Sequence, residues 1–188
     1  AEMKVAITGG IGSGKSYVCN QLRKYGIKVY DCDAAAKKLM RTSIELQNRL
    51  FQLIKQPIFI NKTIQKSVIA KFLLESESNK QAINNIVHPA VAADFMQSGA
   101  DWLESAILFE SDFINRVPIE KVVCVTAPEH IRVARIVQRD NISPEKALEW
   151  IHRQLPQEEI LRHSDYEIVN DGKRNLDTQI KQIIDEII

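Results

Sequence analysis

The stretch Met3-Lys4-Val5-Ala6-Ile7-Thr8-Gly9-Gly10-Ile11-Gly12-Ser13-Gly14-Lys15-Ser16 decides how the rest of the chain is read. Met3–Thr8 is short and mostly apolar, without the 3.6-residue period of a helix, and predicts a buried strand. It leads straight into G-x-x-x-x-G-K-[ST], the pattern of a phosphate-binding loop. Four of the chain's seven glycines (Gly9, Gly10, Gly12 and Gly14) fall here. Their clustering has a physical reason: backbone N–H groups must approach phosphate oxygens closely, which requires absent side chains and tolerance of positive φ. Ser16–Tyr25 then predicts a helix stopped near Gly26, so the loop closes onto a helix N-terminus whose free donors and dipole favour anions. Within that frame Gly9, Gly10, Ile11, Gly12, Ser13, Gly14, Lys15 and Ser16 are the expected nucleotide-binding residues. Lys15 can reach the β- and γ-phosphates, and the Ser16 hydroxyl can join the shell of a Mg²⁺ ion.

Outward from the loop, strand and helix patterns alternate. Ile27–Asp31 predicts a second strand. From Ala34 to about Gln97 the pattern is helical, with Ile44, Leu50, Phe51 and Ile54 in one stripe and Val68 and Phe72 in another. Pro57 and Pro89 interrupt it, and no strand is expected there, so the segment reads as a helical insertion. Ala106–Phe109 and Lys121–Thr126 predict further strands. Thr126-Ala127-Pro128-Glu129 predicts a capping box with an early proline, and Ser143-Pro144 a second helix start. Tyr166–Asn170 predicts a last short strand turning at Asp171-Gly172. Ile180, Ile183, Ile184, Ile187 and Ile188 form the stripe of a terminal helix packed on the core. This order predicts an α/β fold with a mostly parallel sheet covered on both faces.

Bulk composition removes several function classes. Lys and Arg total 25 against 24 for Asp and Glu, a formal charge of +1, which argues against nucleic acid or an anionic membrane as partner. No apolar run approaches the roughly 18 to 20 residues of a bilayer span, and no leader-like pattern opens the chain. Cys19, Cys32 and Cys124 are far apart and outside any C-x-x-C pair, so neither a disulfide framework nor a zinc site is suggested. A reducing cytoplasm is the expected location, with no obligatory protein partner inferred.

The remaining candidates follow from the loop. Asp31-Cys32-Asp33 ends the second strand, on the sheet edge where ligands bind in open α/β folds. Extended chain would point both carboxylates the same way: one to take a proton from an acceptor hydroxyl, the other to hold metal-bound water. A cap for the following helix is the competing reading. Arg132, Arg135 and Arg139 sit at i, i+3 and i+7 on one predicted helix, with Arg153 and Arg162 beyond. Such a stripe fits either a solvated face or the mobile cations of a lid. His88, before Pro89, reads more readily as a loop or helix-end residue than as a catalyst. Glu110, after Ala106–Phe109, reads as a strand-end carboxylate or a cap.

Taken together, G-G-I-G-S-G-K-S, V-Y-D-C-D-A-A-A-K-K-L, V-H-P, L-F-E, R-I-V-Q-R-D, R-Q-L-P and I-V-N-D-G resemble the dephospho-CoA kinases in order and spacing, over essentially the whole chain. The resemblance implies a three-layer P-loop core with a five-stranded parallel sheet, a helical substrate-binding insertion and a helical lid. The corresponding segments are 1–32, 100–130 and 164–188 for the core, 33–99 for the acceptor domain and 131–163 for the lid. It implies transfer of the ATP γ-phosphate to the ribose 3′-hydroxyl of dephospho-CoA, with Mg²⁺. Asp33 is then the base, and Lys15 and Arg139 are catalytic. Arg135 and Asn170 lie on the nucleotide side, and His88 and Glu110 line the acceptor. Asp31, through water, and Ser16 hold the metal. Three positions depart from the family pattern. Tyr17 stands where Thr is usual, but its N–H still serves the α-phosphate. Cys32 replaces Ala, and Ala106 replaces Pro. A shikimate-kinase-like enzyme and a non-catalytic nucleotide-binding homologue are the alternatives. The first lacks support because no G-G pair exists outside the loop. A guanine-nucleotide switch is excluded because Asn61-Lys62-Thr63-Ile64 has Ile where N-K-x-D needs Asp.

Overall fold

A computed structural model describes residues 3–188; Ala1 and Glu2 of the expected core segment lie outside the described residues. The chain divides into two compact units, Ala1–Tyr30 with Ala100–Ile188, and Asp31–Gly99. In the first, β1 (Lys4–Thr8) is followed by the loop and α1 (Lys15–Lys24), and β2 (Val29–Asp31) closes that crossover. The second unit holds α2 (Cys32–Thr42), α3 (Ile44–Ile54), a hairpin of β3 (Phe59–Ile60) and β4 (Thr63–Ile64), α4 (Lys66–Glu75) and α5 (Glu77–Gln97). The chain then returns to the first unit with β5 (Trp102–Glu104), β6 (Ile119–Thr126), α6 (Glu129–Asp140), α7 (Pro144–Arg153), α8 (Gln157–Arg162), β7 (Tyr166–Val169) and α9 (Leu176–Ile187).

The sheet order is β2-β5-β1-β6-β7, with β1 parallel to β5 and to β6, and β6 parallel to β7. The connection leaving β1 runs toward β2 and that leaving β6 runs toward β7. Direction therefore reverses between β1 and β6, the crevice in which open α/β sheets hold ligands. Val5 and Ile7 of β1 and Val123 and Val125 of β6 are fully buried, and Val18, Cys19 and Leu22 of α1 pack on them. Ile180 and Ile183 of α9 complete that cluster, each such side chain contributing about 1.5–3 kcal/mol when fully buried. Ile188, the last member of the predicted stripe, lies past the helix and is exposed.

Four expectations need correction. The strand expected at Ala106–Phe109 is Trp102–Glu104 instead. Its register, Val5↔Trp102 to Ile7↔Glu104, explains why. Ser105 N–H makes the last bond, to Ile7 O, and β1 then turns into the glycine loop, leaving no partner for a longer strand. Residues 106–110 form turns, and Glu110 is an exposed turn residue, not a strand end. The capping box does not form: β6 runs through Thr126, whose hydroxyl donates to Glu167 Oε2 (2.6 Å), and Pro128 takes the cap position of α6. The insertion contains strands, because Asn61 and Lys62 both adopt positive φ (50° and 64°), the geometry of a two-residue hairpin turn. Pro89 does not break its helix: α5 runs 21 residues through it, held by buried Ile83, Val87, Val91 and Phe95 on both sides. That packing outweighs a penalty of about 3 kcal/mol for an interior proline.

Ser143 caps α7 through Lys146 N–H with Pro144 in the first turn, as its dipeptide predicts. Among the described residues no helix is long and apolar enough to cross a membrane.

Candidate active site

The loop is shaped by its own backbone and by α6 and α7. Ser13 N–H donates to Gly10 O (3.1 Å), and Gly14, at φ 84°, occupies the cap position of α1. No side chain caps α1, and its first turn carries no acidic residue. Among the described residues the amides of Gly12, Gly14, Lys15, Ser16 and Tyr17 meet no protein acceptor. Free amides at the positive end of a helix dipole make an anion site.

The loop's carbonyls, in contrast, are taken up. The Ile11 peptide is gripped on both sides: its N–H donates to Gln154 Oε1 (2.8 Å) and its carbonyl accepts from Arg132 Nε (2.9 Å). Arg135 Nη1 donates to Gly12 O and Ser13 O (both 3.2 Å), and its Nη2 to Asn170 O (2.7 Å). Asn170, buried at the end of β7, donates from Nδ2 to Ser13 O (3.0 Å). Burial pushes the Arg132 guanidinium below its usual value, with Glu129 opposing. The predicted arginine stripe therefore splits. Arg132 and Arg135 anchor the loop, whereas Arg139 is exposed and pairs with Asp140 (2.7 Å). Its hydrogen bond holds that carboxyl below the usual range. Arg153 and Arg162 pair with Glu149 and Glu159 on their own helices.

Two glycines lie close against α6, with different consequences for substitution. Gly12 lies at φ 80°, and a Cβ there would sit 2.7 Å from Arg132 O, an atom of the α6 backbone. A Cβ on Gly10 would strike Arg132 Nη2, the end of a flexible side chain. Gly12→Ala should lower Tm by roughly 4–10 °C, from about 2 kcal/mol of backbone strain plus the clash. Gly10→Ala should cost less than half of that. Calorimetric melting of the two variants checks it, and equal losses would refute the backbone argument.

Beside the loop, Lys15 Nζ lies 3.7 Å from Glu104 Oε2, both side chains largely buried. Sequence reasoning passed over Glu104 in favour of Glu110. No local signal marks it, because the limits of β5 are set by its pairing with β1 and not by the more apolar run that follows.

Asp31, Asp33 and His88 belong to the second unit. Asp31 Oδ1 accepts from Ala34 N–H (3.0 Å), capping α2, so the competing cap reading describes that side chain. Because α2 begins at Cys32, Asp33 is helical, and the extended-chain argument for two parallel carboxylates does not apply. Asp33 is exposed and pairs with Lys37 at 3.2 Å. His88 is partly buried in the middle of α5. Ser16 and Tyr17 are exposed at the start of α1. Among the described residues no three His, Cys, Asp or Glu side chains converge on a metal-sized point. A lone Ser16 hydroxyl at the start of α1 suits an ion such as Mg²⁺ that keeps most of its waters and binds phosphate.

Burial first, then Glu167, pushes the Cys124 thiol up to about 12, and burial likewise raises Cys19, so neither buried thiol is poised as a nucleophile.

Comparison with known proteins covers nearly the whole chain. A dephospho-CoA kinase of Bacteroides fragilis is 38% identical over 189 residues, covering 97% of this chain and 91% of that protein. One of Porphyromonas gingivalis is 33% identical, over 97% and 93%. Among solved structures, TT1252 from Thermus thermophilus superposes with a TM-score of 0.83 at 27% identity, covering 100% of this chain and 98% of that one. A shikimate kinase from Acinetobacter baumannii, TM-score 0.57 at 16% identity over 100% and 93%, shares the fold alone. The profile of the dephospho-CoA kinase family matches residues 3–175, and the chain belongs to that family.

Proposed function

We propose that this kinase transfers the γ-phosphoryl group of ATP to the ribose 3′-hydroxyl of dephospho-CoA, giving coenzyme A and ADP. The observation that carries the reading is the extent of the family match. Residues 3–175 include the entire second unit as well as the loop, so the likeness reaches beyond phosphate binding to the part available for an acceptor.

In this reading the free amides of the loop and the Lys15 ammonium hold the β- and γ-phosphates. Arg135 and Asn170 fix the loop's far side and face the nucleoside. The second unit is the acceptor domain, with His88 and Glu110 on the acceptor side, and 131–163 is the lid. Asp33 accepts the proton of the 3′-hydroxyl as its oxygen bonds to the γ-phosphorus and the bond to ADP breaks. Arg139 supplies the cation for the charge that develops on the transferring group. Ser16, and Asp31 through water, would hold Mg²⁺, whose charge offsets that of the phosphates when bound.

ADP release measured with dephospho-CoA and with shikimate, offered separately, tests the assignment. Turnover is expected with the first only. Turnover with shikimate alone would transfer the chain to the small sugar-acid kinases, and turnover with neither would favour a non-catalytic nucleotide binder.

A further inference from the structure

Glu104 ends β5 beside Ile7 of β1, just before β1 opens into the loop. It is 5% exposed, and an unpaired carboxylate so deeply buried would be strongly disfavoured. Its partners come from one face of α1. Lys15 brings its ammonium to 3.7 Å, and Cys19 follows one turn on in the same helix. Burial first, then the Glu104 charge, raises the Cys19 thiol above its usual value. At 3.7 Å the Lys15–Glu104 contact is an attraction between charges without a direct hydrogen bond, so the ammonium can leave it without breaking one.

We propose that Glu104 is a positioning residue, which parks the Lys15 ammonium at the mouth of the loop while no nucleotide is bound and yields it to the triphosphate. The proposal rests on the reading that Lys15 binds ATP. Its consequence has a definite sign. The ion pair stabilises the empty loop, and a contact made only in the free state opposes binding. Removing the carboxylate therefore strengthens nucleotide binding, whereas damage to a merely structural residue would weaken it.

Titration calorimetry of ATP in EDTA, on wild type, Glu104→Gln, Lys15→Met and the double variant, tests this. Glu104→Gln is expected to lower the Kd by about 5- to 10-fold, and the KM for ATP with it. In the Lys15→Met background the same replacement should change the Kd less than about twofold, because the effect runs through the lysine. A folded Glu104→Gln variant that binds ATP no tighter overturns the proposal, as does equal tightening in both backgrounds, which would indicate direct repulsion of ATP. If Lys15→Met binds ATP as wild type does, the proposal falls because the role given to Lys15 has failed first. Should Glu104→Gln not fold, Glu104→Asp replaces it. That variant keeps the charge but draws it back by one methylene; tighter binding supports the proposal and unchanged or weaker binding overturns it.

Discussion

Lys15→Met should lower kcat/KM for ATP by about 10²–10³-fold, the range lost when one donor to a developing oxyanion is removed. Methionine keeps the length and most of the volume of lysine and removes only the charge. Lys15 opens α1, so its ammonium works beside the free amides and the helix dipole, where a cation and an anion meet with little intervening water. As charge moves along the phosphate chain, those contacts strengthen, and kcat should fall more than KM rises. The variant also leaves Glu104 without its cation, so some loss of Tm accompanies the kinetic change. Steady-state kinetics at saturating ATP separate the two effects. A folded variant that keeps a wild-type kcat would remove Lys15 from the chemistry.

Much of this arrangement was legible in the residues, and the misses share one origin. The loop, α1 and the strands β1, β2, β6 and β7 carry local signals: glycine clusters, apolar runs and turn residues whose meaning does not depend on distant neighbours. The limits of β5 do depend on them. Ala106–Phe109 is the more apolar run, yet the strand ends at Glu104, paired with Ile7, because β1 turns into the glycine loop just beyond. The same holds for Pro89, tolerated inside α5 because Val87 and Val91 are buried on either side of it. Asn61-Lys62 lacks the glycine of a strong hairpin signal, and both residues take positive φ nonetheless. The arginine stripe shows the limit most clearly. Spacing put Arg132, Arg135 and Arg139 on one helix, but only the tertiary fold separates the two that hold the loop from the one left exposed. A formal charge of +1 thus coexists with two guanidinium groups gathered on a single loop.

Asp33→Asn is the sharper test of the transfer step, since asparagine keeps the shape and cannot take a proton. A general base contributes about 10²–10⁴-fold, and kcat should fall within that range while the KM for dephospho-CoA stays nearly constant. The local structure favours a clean reading. The carboxylate is exposed in the first turn of α2 and its partner is Lys37, an exposed i,i+4 pair worth at most a few tenths of a kcal/mol. The variant should therefore melt within about a degree of wild type. Asp31→Asn is the internal control. Asp31 accepts from Ala34 N–H as the cap of α2, and asparagine is an equally good cap, so stability holds there too. If Asp33→Asn stays within about tenfold of wild type, the proton is taken elsewhere and the role given to Asp33 is lost.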